Sequence, residues 1–176
     1  MKAVFLDRDG VINRALVIHQ KPYPPGNLNE LEILPDVALA LSNLREDGYK
    51  LIVVTNQPDV ARGKVALETV KEINLSLQKQ LPLDEFFCCF HDDSDSCECR
   101  KPKPGAILNA VQKHNIDITQ SFMVGDRWRD IEAGEAAGCK TMFIDYGYNE
   151  KQPMNWDYRV KSLYEASKII LEKDNG

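Results

Sequence analysis

A doubly wound α/β domain with a mainly parallel sheet is the fold class that the sequence predicts, on three observations. Short apolar runs, several rich in β-branched residues, each stop at a polar residue, as buried parallel strands do. Stretches with the helical period of apolar residues lie between them. Strand and helix then alternate along the chain, the order that builds a parallel sheet with helical crossovers.

Taken in order, Ala3 to Leu6 forms the first strand and stops at Asp7. Lys21-Pro-Tyr-Pro-Pro-Gly26 is a stiff loop suited to walling a site. Val37, Ala40, Leu41 and Leu44 repeat at i, i+3, i+4, i+7 between Pro35-Asp36, a helix start, and Gly48, a C-terminal cap. Leu51-Ile-Val-Val54 is the second strand, with further strands expected at Phe86 to Phe90, Phe122 to Val124 and Thr141 to Ile144. Helices are expected over 66–80, 104–114, 129–137 and 161–172. No repeat or composition shift divides the chain, and 176 residues suit one domain, 1–176.

With 43% hydrophobic and 28% charged residues, the chain can bury a real core. Twenty-two basic against 27 acidic residues leave a net charge of −5 with no basic block. That balance disfavours nucleic acid and anionic membranes as partners and points to a small molecule. No apolar stretch approaches the roughly 18 residues of a membrane span, and Met1 to Leu6 is too short for a signal-peptide core. An odd count of five cysteines without an export signal suits a reducing, cytoplasmic compartment. A monomer is expected, with oligomers left open.

In such folds ligands bind beyond the carboxyl ends of the strands. There the sequence places Asp7-Arg8-Asp9-Gly10, Thr55-Asn56-Gln57, Lys101, and Gly125-Asp126 followed by Asp130. Alone, the first is equally an acidic solvated turn, but together they bring carboxylates, a hydroxyl and an amine to one edge. A second cluster, Cys89-Phe-His91 with Cys97-Glu-Cys99, puts four nitrogen or sulfur ligands within eleven residues. Cys₃His is the composition of a structural, tetrahedral Zn²⁺ site, with no open position for water. Cys88 and Cys139 read as core residues, His19 and His114 as surface residues, and Trp156 and Tyr158 as packing or a subunit contact.

The ordered set of Asp7, Asp9, Thr55, Lys101 and Asp126 resembles the haloacid-dehalogenase superfamily of phosphohydrolases over nearly the whole chain. The resemblance implies a Rossmann-like sheet without a separate cap domain and an aspartyl-phosphate route. Asp7 would attack phosphorus and Asp9 would serve as general acid and base. Mg²⁺ would be held by the side chains of Asp7 and Asp126 and the backbone carbonyl of Asp9. Thr55 and Lys101 would hold phosphoryl oxygens. Asp130 would support the metal ligands or stabilise a helix dipole.

Asp7-Arg-Asp-Gly-Val-Ile-Asn13, Val54-Thr-Asn-Gln57, Ala61-Arg-Gly63 and Cys97-Glu-Cys-Arg-Lys-Pro-Lys-Pro-Gly105 are similar to a zinc-loop group within that superfamily. Its members include the heptose 1,7-bisphosphate 7-phosphatases and the histidinol-phosphate phosphatases. The implied reaction is removal of the C7 phosphate of D-glycero-D-manno-heptose 1,7-bisphosphate, with structural Zn²⁺ in the 89–99 loop. Histidinol-phosphate hydrolysis is the alternative, and a non-enzymatic phospholigand-binding module is the alternative of another class. Asn56, Gln57, Arg62, Arg100 and Arg127 are the candidate substrate-binding residues. Pro104-Gly105 and Arg62 favour the heptose reading. Three features depart from it: the five residues between His91 and Cys97, Asp59, and Arg127 where lysine is common.

Overall fold

The computed structural model describes residues 1–174. In chain order its elements are β1 (Ala3–Leu6), a hairpin of β2 (Leu16–Ile18) and β3 (Lys21–Tyr23), α1 (Val37–Glu46), β4 (Lys50–Asn56) and α2 (Leu67–Gln80). There follow β5 (Glu85–Cys89), α3 (Gly105–His114), β6 (Phe122–Gly125), α4 (Trp128–Ala137), β7 (Lys140–Ile144), β8 (Tyr158–Val160) and α5 (Leu163–Asp174). Six strands form one sheet in the order β5-β4-β1-β6-β7-β8, parallel at every pairing.

Alternation along the strands divides the core into two layers. Val4 and Leu6 of β1, with Leu51 and Val53 of β4, face one side and pack with Leu41, Ile73 and Ile170 of α1, α2 and α5. Ala3, Phe5, Ile52 and Val54 face the other and pack with Ile107 and Ala110 of α3 and Ala133 and Ala137 of α4. Burial on both faces is why these runs are continuously apolar. α1 begins after Asp36 and is followed by Gly48 at φ +86°, the cap conformation the sequence suggests. Asp36 itself sits at φ +60° and makes no side-chain cap bond, so a backbone turn starts this helix.

Two elements lie outside the sequence expectation. The 21–26 loop is partly strand, because Lys21–Tyr23 pairs antiparallel with Leu16–Ile18. Tyr158 joins the edge strand β8 against Met142, and Trp156 packs 5.7 Å from Phe143, ring centre to ring centre. Among the described residues no helix is long and apolar enough to cross a membrane.

From β1 the chain winds to β4 and β5 on one side, then returns to β6 on the other. The carboxyl ends of β1 and β6 therefore flank the point where strand order reverses, the usual crevice of an open α/β sheet. Asp7 and Asp126 are the residues that follow those two strands.

Candidate active site

Asp7 leaves β1 with its N–H donated to the Val124 carbonyl at 3.0 Å, which fixes it beside β6. Gly10 follows at φ +88°, and a Cβ there would lie 2.0 Å from Asp126 Oδ2, so only glycine lets the two loops close together. Lys101 Nζ donates to Asp7 Oδ1 at 2.9 Å, to Asp130 Oδ1 at 2.6 Å and to the Val54 carbonyl at 2.7 Å. Burial works against the charge on this amine, but Asp130 and Asp7 outweigh it and push its pKa up.

Burial, then the charge of Asp130, pushes Asp7 up to about 6, against the pull of Lys101. Asp126 is raised well above the ordinary carboxylate range by burial and by Asp7 and Asp130. Three buried carboxylates, those of Asp7, Asp126 and Asp130, offer oxygens within 4.8 Å of one another. One ammonium does not balance them, and Asp126 Oδ1 is buried without a hydrogen-bond partner among the described residues. This donor set fits a hard divalent cation. Both oxygens of Asp130 are engaged, Oδ1 by Lys101 and Oδ2 by the Arg127 N–H at the start of α4. Asp130 is thus a helix-start acid and also the partner of the lysine.

The other expected residues converge here with more specific partners than their types reveal. Asp9 accepts from Arg8 Nε at 3.1 Å, Asn13 Nδ2 at 3.0 Å and Gln57 Nε2 at 2.9 Å. Gln57 also donates to the Thr55 hydroxyl at 3.0 Å. Asn56 braces Lys101 reciprocally, donating to its carbonyl at 3.0 Å and accepting from its N–H at 3.1 Å. A cavity of about 350 Å³ opens above Asp7, Asp9 and Lys101. The hairpin residues Lys21 to Pro24 form one wall, as the stiff loop foreshadowed.

Four arginines line this cavity, and they are not equivalent. Arg62 is clamped by both oxygens of Asp92 at 2.8 and 2.7 Å. Arg127 is held by Glu150, its Nε 3.1 Å from Oε1 and 3.2 Å from Oε2. Arg100, nine-tenths buried, donates through Nε to Asp93 at 2.8 Å, and its Nη1 has no partner among the described residues. Arg129 stacks 4.5 Å over the Trp128 ring and lies 3.6 Å from Asp93. Burial and the neighbouring charge of Arg100 depress the pKa of Arg129.

In the 89–99 loop, Cys89, His91 Nδ1, Cys97 and Cys99 also gather within 4.8 Å. The Cys89–Cys97 and Cys97–Cys99 sulfurs are each 3.6 Å apart, and Cys89–Cys99 are 3.0 Å apart. A tetrahedral zinc with bonds of about 2.3 Å sets its sulfurs roughly 3.8 Å apart, so this set needs little expansion to fit one. Burial opposes ionisation of Cys97, yet the Arg100 N–H and the Cys89 and Cys99 thiols bring it down to about 7. Cys88 stays outside the cluster, accepting from Asn74 at 3.2 Å, and Cys139 is buried near α4. His114, read as a surface residue, instead lies 2.6 Å from Glu85 on β5.

Sequence reasoning missed Arg8, Lys21, Arg129, Tyr148 and Glu150. Tyr148 had a usable signal, because it lies just beyond β7, another strand of the same edge, and its hydroxyl donates to Asp126 at 2.7 Å.

Residues 25–138 match the model of the haloacid dehalogenase-like hydrolase family. The chain is 35% identical to a D-glycero-beta-D-manno-heptose-1,7-bisphosphate 7-phosphatase of Helicobacter pylori, over 96% of this chain and 97% of that protein. It is 33% identical to a D-glycero-alpha-D-manno-heptose-1,7-bisphosphate 7-phosphatase of Photorhabdus laumondii, over 97% of each chain. Among solved structures, the D,D-heptose 1,7-bisphosphate phosphatase of B. bronchiseptica, complexed with magnesium and phosphate, superposes with a TM-score of 0.81 at 26% identity. That match covers 98% of this chain and 99% of that one.

Proposed function

The chain belongs to the haloacid dehalogenase-like hydrolases and is a phosphatase; from that premise we propose that it removes the C7 phosphate of D-glycero-D-manno-heptose 1,7-bisphosphate. The observation that carries the chemistry is the meeting of Asp7, Asp126 and Lys101 at the sheet's reversal point, with the Lys101 amine 2.9 Å from the Asp7 carboxylate. The substrate is taken from the near-full-length similarity to the heptose enzymes.

In the proposed reaction an Asp7 oxygen attacks phosphorus in line, forming an aspartyl-phosphate as the bond to the sugar oxygen breaks. Asp9 gives that oxygen its proton. Water then attacks phosphorus, Asp9 takes the water's proton, and the bond to Asp7 breaks to release inorganic phosphate. Lys101 and Thr55 hold the phosphoryl oxygens as charge moves, in a site where burial strengthens each contact. Asn56, which lines the cavity, also braces Lys101, and Gln57 braces Asp9.

Asp7, Asp126 and the Asp9 carbonyl would hold Mg²⁺, which when bound neutralises charge shared by the carboxylates and the phosphoryl group. Cys89, His91, Cys97 and Cys99 would hold Zn²⁺, pinning the loop that carries Arg100 and Lys101 within one domain, 1–176. Arg100, whose Nη1 has no partner among the described residues, and Arg129, which lies 3.6 Å from Asp93 and donates to the Lys101 carbonyl at 3.4 Å, would bind the phosphate that stays on the substrate.

The test is phosphate release in Mg²⁺, comparing kcat/KM for the α and β heptose 1,7-bisphosphates with histidinol phosphate. A preference above roughly 100-fold for either anomer, worth about 2.7 kcal/mol, supports the proposal. The same preference for histidinol phosphate overturns the substrate and leaves the chemistry. Turnover that survives Asp7→Asn overturns the chemistry.

A further inference from the structure

Beyond β7 the chain crosses the site, and alternate residues grip the loops that follow β1 and β6. The Tyr146 hydroxyl donates to the Gly10 carbonyl at 2.7 Å, the Tyr148 hydroxyl donates to Asp126 Oδ2 at 2.7 Å, and Glu150 holds Arg127. The two tyrosine rings lie 5.5 Å apart and support each other. Tyr148 is 8% exposed, so its hydrogen bond forms away from bulk water.

What that bond does follows from the two oxygens of Asp126. Oδ2 accepts the hydrogen bond of the phenol and packs against Gly10, where a Cβ would come within 2.0 Å of it. Oδ1 is buried and has no hydrogen-bond partner among the described residues. A donor on one oxygen fixes the rotation of the carboxylate, so that its other oxygen keeps one direction. Such a contact behind a ligand orients it and raises its affinity for a cation.

We propose that Tyr148 is a positioning residue that locks Asp126 by its Oδ2 and so presents Oδ1 to the divalent cation. The proposal rests on the reading of Asp126 as a ligand of that cation.

Tyr148→Phe keeps the ring and removes only the donor. Mg²⁺ affinity would be measured by calorimetry without substrate, and the Mg²⁺ activation constant by phosphate release. Both are expected to weaken 10- to 100-fold, as for the loss of a contact behind a metal ligand, with zinc content unchanged and most of kcat recovered at saturating Mg²⁺. A change in affinity below about threefold, or a fall in kcat that saturating Mg²⁺ does not restore, overturns the proposal. Asp126→Asn separates the two layers of argument. If Asp126→Asn loses Mg²⁺ binding while Tyr148→Phe keeps it, the role of Tyr148 alone fails; if both keep it, the reading of Asp126 fails and the proposal with it.

Discussion

The ammonium of Lys101 lies 2.6 Å from Asp130 Oδ1, a buried pair that ties the chain just beyond the 89–99 loop to the first turn of α4. Asp130 receives the Arg127 N–H on its other oxygen, so one carboxylate both starts the helix and aims the lysine. Removing one partner of a buried pair strands the other charge, which typically costs 3–5 kcal/mol. Because Asp7 still accepts from Lys101, Asp130→Ala is expected to lose about 2–3 kcal/mol of stability in urea denaturation, with kcat falling at least tenfold. An unchanged denaturation midpoint would mean the pair carries no stability.

Asp7 provides a prediction in pH. Burial, then Asp130, raises it from 3.8 to about 6 in the folded protein. Between those values the folded state keeps a proton that the unfolded chain has lost, so this group's contribution to stability falls as pH rises through the window and is flat above it. The loss is on the order of 3 kcal/mol for an isolated group. Asp126, raised for the same first cause, acts in the same direction. In thermal melts without Mg²⁺, Asp7→Asn should therefore be more stable than wild type at pH 7, and the difference should shrink toward pH 4. A variant that melts below wild type at pH 7 would show that the Asp7–Lys101 contact outweighs the cost of burying the charge.

The strands and helices that bury apolar residues were legible because periodicity records burial. The expected helices over 66–80 and 104–114 compare with Leu67–Gln80 and Gly105–His114. The hairpin was not, because Lys21-Pro-Tyr-Pro-Pro reads as stiff loop and its pairing with Leu16–Ile18 is largely exposed. Asp7 and Asp126 could be found as the residues that follow strands and Thr55 as one that ends an apolar run within β4, whereas Lys101 lies twelve residues beyond β5, past the cysteine loop. Their partners could not: nothing near Arg62 announces Asp92, and nothing near Arg127 announces Glu150. Sequence reveals that an arginine is charged, but only the fold reveals whether its charge is already used.

The zinc loop predicts a loss of metal and stability together. Cys97→Ser should lower zinc content and the melting temperature in parallel, since binding at such a cluster is part of the folding free energy. Lys101 follows Cys99 by two residues, so KM and kcat should also worsen. A variant that keeps both its zinc and its melting temperature would remove Cys97 from the ligand set.

Arg129 carries the sharpest prediction about specificity. Arg62 and Arg127 each spend their fork on an internal carboxylate, whereas Arg100 and Arg129 share the exposed Asp93, at 2.8 and 3.6 Å. Two guanidinium groups crowded around one carboxylate at the cavity wall repel each other, and a doubly charged phosphate relieves that repulsion better than Asp93 does. A hydrogen bond to a charged group is worth about 1.5–3 kcal/mol, so Arg129→Ala should reduce kcat/KM for the heptose bisphosphate 10- to 100-fold, mostly through KM. A monophosphate such as p-nitrophenyl phosphate, which has no second anion, should change less than threefold. Arg129→Lys should fall between, keeping the charge but losing the planar fork. Equal losses on the bisphosphate and the monophosphate would place Arg129 with the reacting phosphoryl group instead, and would leave Arg100 alone at the second phosphate.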